Sequence, residues 1–387
     1  MGMQIQAVIV AWQVYQIRPQ AILLGLIGLA EAVPAILCSF YAGHIVDQHR
    51  PAKVYVNCIR ALLLNAIALW LVTSSLIHIR DDFRLILMFV VVFISGLVRS
   101  FSSPANSSLV PQVIPRELYA ASAAWTSSVY QAAAIFGPAI GGLVYGEIGA
   151  TYAFGLIPAF IFLSMICVAL LSPKAREIRN NQAREHFSDS IRAGIKFVLQ
   201  TKALLSSMTL DMFSVLFGGA VAVLPIYADK ILHVGASGLG ILRSAPAIGS
   251  LLVLLFMAIR PLKVISGQTL LIVVAGFGLC IVGFGISTNY ALSLLLLAAS
   301  GAFDAVSMVI RQTILQLLTP DQYRGRVSSV STVFITSSNE IGAFESGFAA
   351  TAMGLVPSVV FGGVMTLLIV AGTAIWFPEL RRTRIAH

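Results

Sequence analysis

Long apolar runs separated by short polar breaks dominate the chain. An α-helix crosses the hydrocarbon core of a bilayer in about 20 residues. Eleven runs have roughly that length: Ala21–Tyr41, Val54–Ile77, Leu85–Asn106, Ala120–Tyr145, Tyr152–Leu171, Leu204–Tyr227, Gly238–Ala258, Thr269–Ser287, Ala291–Leu317, Val327–Met353 and Pro357–Phe377. A shorter run, Met3–Tyr15, precedes them and supplies about half to three-quarters of a span. It is counted as the first of twelve transmembrane helices and is expected to be cut short at its start. It lacks the basic start and small-residue cleavage site of a signal peptide and is not read as one.

Composition agrees with lipid as the main solvent. Of 387 residues, 58% are hydrophobic and 11% are charged, against about 45–50% and 25% in an average soluble domain. A soluble protein this apolar has too few polar groups to cover its surface. The formal charge of +9 invites a nucleic-acid reading, but there is no basic stripe, zinc-finger spacing or RNA-binding aromatic pair. Cys38, Cys58, Cys167 and Cys280 all fall inside apolar runs, without metal-ligand spacing, and read as buried free thiols.

The basic residues set the orientation. Seventeen fall in breaks on one side or in the tail, and four, Arg18, Arg80, Arg84 and Lys230, fall in breaks on the other. The richer side is cytoplasmic by the positive-inside rule, and twelve spans put both termini there. Arg60, Arg99, Arg243 and Arg311 lie within spans. The longest polar stretch, residues 172–202, opens as a charged linker. It then sets Ile191, Ile195, Phe197 and Leu199 among Arg192, Lys196 and Lys202. That pattern suits an interfacial helix on the cytoplasmic leaflet, or a solvated linker with one apolar face.

The chain also repeats itself. Arg50-Pro-Ala-Lys-Val54 and Arg260-Pro-Leu-Lys-Val264 stand 210 residues apart, each closing the second span of its half. Gly96, Arg99 and Pro115 map onto Gly301, Asp304 and Pro320 at an offset of 205. The expected architecture is all-α and integral to the membrane: a six-helix bundle over 1–171, the linker 172–202, and a second bundle over 203–387 with a short basic tail. Parallel repeats of this kind mark one class of transporter.

Three motifs carry a family resemblance. Gly43-His-Ile-Val-Asp47-Gln-His-Arg50-Pro-Ala-Lys53 resembles the loop after helix two of the major facilitator superfamily, with Gln48 in place of a basic residue and Arg50 where glycine is common. The second-half copy has Met257 in place of the acid. Gly137-Pro138-Ala-Ile-Gly141-Gly142 resembles the helix-five motif of antiporters in that superfamily, and Gly96-Leu-Val-Arg99 its helix-four motif with a buried arginine. Trp12-Gln-Val-Tyr15, Ala30-Glu31-Ala-Val-Pro34 and Arg324-Gly-Arg-Val327 resemble the enterobactin-exporter-like branch. The resemblance implies a major facilitator fold in which helices one, four, seven and ten line a central cavity. It also implies export of siderophores or other small molecules.

Physically, Gly43 permits close helix approach, and Asp47 can cap a helix or pair with a base such as Arg50 or Lys53, so this loop reads as a latch. Gly137, Pro138, Gly141 and Gly142 give a bent, smooth helix suited to a moving interface or to close packing. A charge in a bilayer needs a cavity or a partner. Arg99, Asp211, Asp304 and Arg311 fall on the helices that the resemblance places around the cavity. Asp211 and Arg311, each roughly 10 Å from the cytoplasmic end of its helix, are placed to pair. Asp304 and Glu340 lie about 20 Å deep, with Glu345 nearer the outside. An acid between apolar burial and a nearby arginine is poised to exchange a proton. Glu31 and Arg243, on helices two and eight, serve gating or packing.

The expected function is a secondary transporter of the cell inner membrane, a monomer without cofactor or metal, whose partners are a small-molecule substrate, protons and the lipid bilayer. It exchanges a small organic molecule for protons outward; proton-coupled uptake and a non-transporting scaffold are the alternatives. No Walker loop, His-Glu-x-x-His or Gly-x-Ser-x-Gly is present, so an ATP-driven pump or a membrane enzyme is not expected.

Overall fold

The computed structural model describes residues 1–74, 79–170, 195–260, 264–320, 323–382 and 384–386. Six long helices occupy the first half: α1 (Gly2–Ile17), α2 (Ala21–Gln48), α3 (Pro51–Thr73), α4 (Asp81–Val113), α5 (Tyr119–Glu147) and α6 (Ala150–Ala169). Six more follow: α7 (Lys202–Gly218), α8 (Gly235–Ile259), α9 (Gly267–Ile286), α10 (Tyr290–Leu318), α11 (Arg324–Met353) and α12 (Leu355–Trp376). A helical turn α13 (Pro378–Arg382) closes the series. The backbone of Val264–Ser266 pairs antiparallel with Arg384–Ala386, tying the tail to the start of α9. Ten segments among the described residues are long and apolar enough to cross a membrane. Neither α1, at 16 residues, nor α11, interrupted by serines, threonines, Glu340 and Glu345, is among the ten.

Several helices depart from the apolar runs. α4, with Pro104 inside it, continues past Asn106 through Pro111 to Val113, because a hydrogen-bonded helix need not stop where the chain leaves the lipid. α7 breaks at Gly219 into tighter and looser turns over Ala220–Ile231, although its apolar run reads as continuous to Tyr227. Of the linker, residues 195–200 are helical; Ile191 and Arg192 lie outside the described residues. Val198 is buried and Phe197 stacks on Tyr323 at 5.0 Å, while Ile195 and Leu199 are exposed.

The duplication is visible in packing. In the first half α3 packs on α4 and α6, and α1 on α5 and α6; in the second, α9 packs on α10 and α12, and α7 on α11 and α12. Gly149 and Gly354, 205 residues apart, cap the last helix of each half with φ 113°, ψ 166° and φ 91°, ψ 164°. An L side chain is strained in that conformation, so glycine makes the tight turn between two spans. Gly96 presses α4 on the backbone of Glu31 in α2, and Gly301 presses α10 on Pro246 in α8. A shared Pro-Ala-Ile, at Pro34–Ile36 and Pro246–Ile248, extends the repeat into the second helices.

By contact the chain forms two compact units, Met1–Asn180 with Leu224–Ser244, and Asn181–Val223 with Ala245–His387. These bounds differ from the repeat boundary. The stretch after the break in α7 and the first part of α8 belong with the first unit, because small residues there pack on α5, as described below.

A methyl group on Gly96 or Gly301 would overlap a backbone carbonyl, which cannot swing aside. Gly96→Ala and Gly301→Ala are therefore each expected to destabilise the protein by about 1–3 kcal/mol. Thermal unfolding in detergent, followed by circular dichroism, checks this; two unchanged transitions would remove the close approach.

Candidate functional site

In the second unit three charges converge inside apolar helices. Asp304 and Arg311 are seven residues apart on α10, two turns along one face. The arginine side chain points back toward the helix N-terminus, in the direction of Asp304. Asp211, in the middle of α7, forms an ion pair with Arg311. Asp304 Oδ1 lies 3.9 Å from Arg311 Nη2, and Arg311 Nε donates to the Ser307 carbonyl at 3.3 Å. The pairing expected from depth alone is thus formed, and Asp304 joins it as a second acid. One guanidinium faces two carboxylates, so with both acids ionised the cluster carries one surplus negative charge.

The cluster borders a cavity of about 30 Å³, whose polar lining includes Ser207, Asp211, Arg311, Gln312 and Ser331. A water needs about 10–15 Å³ of such space. The cavity therefore has room for a water or two and none for an organic solute. Asp211 is buried, whereas the Asp304 side chain is 52% exposed at the midpoint of a 29-residue helix.

The first unit holds a different arrangement. Arg99, at the repeat position of Asp304 and also half exposed, forms an ion pair with Glu31 of α2. The pair joins the expected cavity cation Arg99 to Glu31, the residue expected to serve gating or packing. The contact at Gly96, one turn away, brings α2 and α4 close enough for the pair. A second polar network lies deeper and was not foreseen: Asn65 donates to Ser95 Oγ at 2.7 Å and to the Val91 carbonyl at 2.9 Å, and Gln6 donates to Ser95 Oγ at 3.2 Å. An Asn on α3, spaced from no obvious partner in the sequence, gives no signal for it.

Gly137, Pro138, Gly141 and Gly142 are all buried. Gly137 faces Gln4 of α1, and Gly141 faces Ile5, Val8 and Ile9. A methyl group on Gly142 would sit 2.5 Å from the Ala236 carbonyl oxygen of α8, and Gly240 of α8 meets the Pro138 carbonyl. Ser244 Oγ donates to the Ile135 carbonyl at 2.6 Å. Nearby, Tyr15 Oη donates to Asp229 at 2.7 Å, fastening the end of α1 to the stretch after α7. The motif is thus a smooth face of α5 that accepts α1 on one side and α8 on the other.

The remaining candidates are not gathered into these sites. Gly43 and Asp47 fall within α2, but their side chains lie outside the described residues. Arg50 caps the start of α3 with Pro51 at its first turn, and Arg50 and Lys53 are exposed. Glu340 and Glu345 are half-buried on α11 and form no ion pair with Arg311, whose acids are Asp211 and Asp304.

Among the described residues, twelve long helices in two repeated sets, with charged clusters inside apolar spans, define a multi-pass membrane-transporter fold. The chain belongs to the transmembrane secretion effector family of the major facilitator superfamily, whose profile matches residues 1–385. It is 29% identical over 290 residues to the enterobactin exporter EntS of Escherichia coli O1:K1, covering 75% of this chain and 68% of that protein. Among solved structures, a bacterial homolog of the human lysosomal transporter Spinster, in an inward-facing and unoccupied conformation, superposes with a TM-score of 0.73 at 12% identity. That match covers 99% of this chain and 97% of the other. A D-xylose–proton symporter gives 0.72 at 14% identity, over 98% and 96% of the two chains. The chain is accordingly a multi-pass membrane transporter.

Removing one partner from a buried ion pair costs about 3–5 kcal/mol, because the other charge is left uncompensated. Arg311→Gln strands two carboxylates, whereas Asp211→Asn leaves Arg311 its second acid. Arg311→Gln is expected to lower stability by that amount and Asp211→Asn by less. Denaturation of the two purified variants checks the order; equal losses would make Asp304 a bystander.

Proposed function

We propose that the protein exports a small organic molecule, siderophore- or drug-like, across the inner membrane in exchange for protons. The carrying observation is the charge imbalance in the second unit. Arg311 faces both Asp211 and Asp304, so the cluster is one proton short of neutrality at mid-membrane depth. An unneutralised charge there is costly, and a proton on Asp304 removes it. Asp304 is the more exposed and the more loosely held of the two acids. It takes and releases the proton, while Asp211 keeps Arg311 in place. Export is supported by relatives that bear the name enterobactin exporter.

The transport cycle is alternating access by two six-helix halves, 1–171 and 203–387, joined by the linker 172–202. Substrate sits at the midplane, as in transporters built from such repeats. The glycine face of α5 is the surface on which α1 and α8 shift. Gly43 and Asp47 at the end of α2, with Arg50 and Lys53 at the start of α3, latch one conformer. Both termini face the cytoplasm, on the side rich in basic residues, and the monomer is the working unit.

The test is flux in vesicles containing the purified protein, with enterobactin as the first solute, with and without an imposed pH gradient. Asp304→Asn is expected to abolish gradient-driven transport and to retain exchange down a substrate gradient. Full gradient-driven flux in that variant would exclude Asp304 and move the coupling acid to Glu340 or Asp211. A separate measurement addresses the latch. Asp47→Asn is expected to slow transport and to change the labelling of single cysteines placed in the α2–α3 loop, with the thermal transition held. Unaltered flux and labelling would reduce Asp47 to a replaceable helix cap.

A further inference from the structure

Arg60 stands apart from the charges above. It is the tenth residue of α3, inside an apolar span, yet exposed. Among the described residues no acid pairs with it. About 13 Å of helix separates it from the start of α3 at Pro51. Its side chain leans toward that start, as helical side chains do, so the guanidinium reaches toward the headgroup layer while its stem stays in lipid. On the orientation set by the basic loops, that layer belongs to the cytoplasmic leaflet.

Beside Arg60 a cleft of about 230 Å³ opens between α3 and α6. Val56 and Ile59 form one wall, and Phe162, Met165 and Ile166 form much of the other. Among the described residues Arg60 is the only polar side chain lining it, and Ala169 lines it too. The volume is below the roughly 300–1,000 Å³ of pockets that enclose a drug-sized molecule. Phe162, Leu163 and Ile166 are exposed along the same face, as a lipid-facing helix requires. The cleft thus has an apolar slot with a single cation at its mouth.

We propose that this cleft binds one anionic phospholipid, with an acyl chain along the α3–α6 slot and the headgroup phosphate on Arg60. A guanidinium matches a phosphate with two parallel hydrogen bonds, and basic pockets between spans on the cytoplasmic side suit such headgroups. An anionic lipid satisfies both the cation and the slot, whereas a free anion satisfies only the first and a zwitterionic lipid offers a phosphate offset by its own cation.

The test is native mass spectrometry of the full-length protein released from detergent, titrated with phosphatidylglycerol and phosphatidylcholine of identical chains. Wild type is expected to retain one phosphatidylglycerol about tenfold more tightly than phosphatidylcholine, a difference of about 1.4 kcal/mol. Arg60→Gln should bring the two lipids level, and Arg60→Lys should keep part of the preference. Ala169→Trp, which fills the slot and leaves the cation, should weaken retention of both lipids. Equal retention of the two lipids by wild type would overturn the proposal, as would undiminished preference in Arg60→Gln. Competition by glycerol 1-phosphate as effective as the lipid would reduce the site to a plain anion site. A lipid-free dimer would assign the cleft to a second copy of the chain. Each of these two outcomes also overturns the proposal.

Discussion

An ionised side chain inside a hydrocarbon layer has to be met by an opposite charge, by water or by a lipid headgroup, and this constraint orders the molecule. Arg99 is met by Glu31 and Arg311 by two aspartates. Asp304 and Arg99 are both half exposed in mid-helix. The remaining helices are consequently free to be apolar, and their polar residues are mostly serines and threonines that bond back to their own helix. Thr73 to the Leu69 carbonyl at 2.8 Å and Ser358 to the Leu355 carbonyl at 2.7 Å are examples. Such bonds satisfy a hydroxyl without asking for a partner helix.

Helix spacing serves the same constraint. In lipid no hydrophobic effect pulls helices together, so association rests on packing of small residues and on polar contacts. Gly96 and Arg99 show both on one turn: the glycine removes the side chain that would hold α4 away from Glu31, and the arginine bonds to that same residue. The second half repeats the spacing with the charge reversed. Gly301 meets Pro246, and three residues on stands Asp304 in place of an arginine. Its nearest described base is Arg311, two turns along its own helix rather than a residue on the second helix of its half.

The spans, the repeat and the Asp211–Arg311 pair were legible because each depends on one-dimensional quantities: run length, offset and depth along a helix. The Glu31–Arg99 pair was not, because depth does not give the rotation of α2 against α4. The Asn65–Ser95–Gln6 network escaped for the same reason, with no charge to draw attention to it. Hydropathy also passed over the break at Gly219, since the run stays apolar while the backbone changes its hydrogen-bonding partners. Short as it is, α1 buries Ile5, Ile9, Val14 and Tyr15 almost completely, so its length says little about how firmly it is packed. The linker gave a mixed result: Val198 packs inward, while Ile195 and Leu199 of the expected apolar face point out.

The unequal charge of the two halves bears on how a proton and a substrate can influence each other. The first half sets one acid, Glu31, against one base, Arg99. The second sets two acids, Asp211 and Asp304, against Arg311. The cavity beside Asp211 admits water but not an organic solute, so a substrate cannot act on the cluster from that side. Asp304 has the other exposure, at the middle of α10, and there a solute or a shift of the helix can change its surroundings. A proton on Asp304 also loosens its hold on Arg311, leaving the arginine to Asp211 and α7. Protonation would thereby change the electrostatic attraction between two points on α10 and the one between α10 and α7, which is the kind of bistable contact a transport cycle can bias.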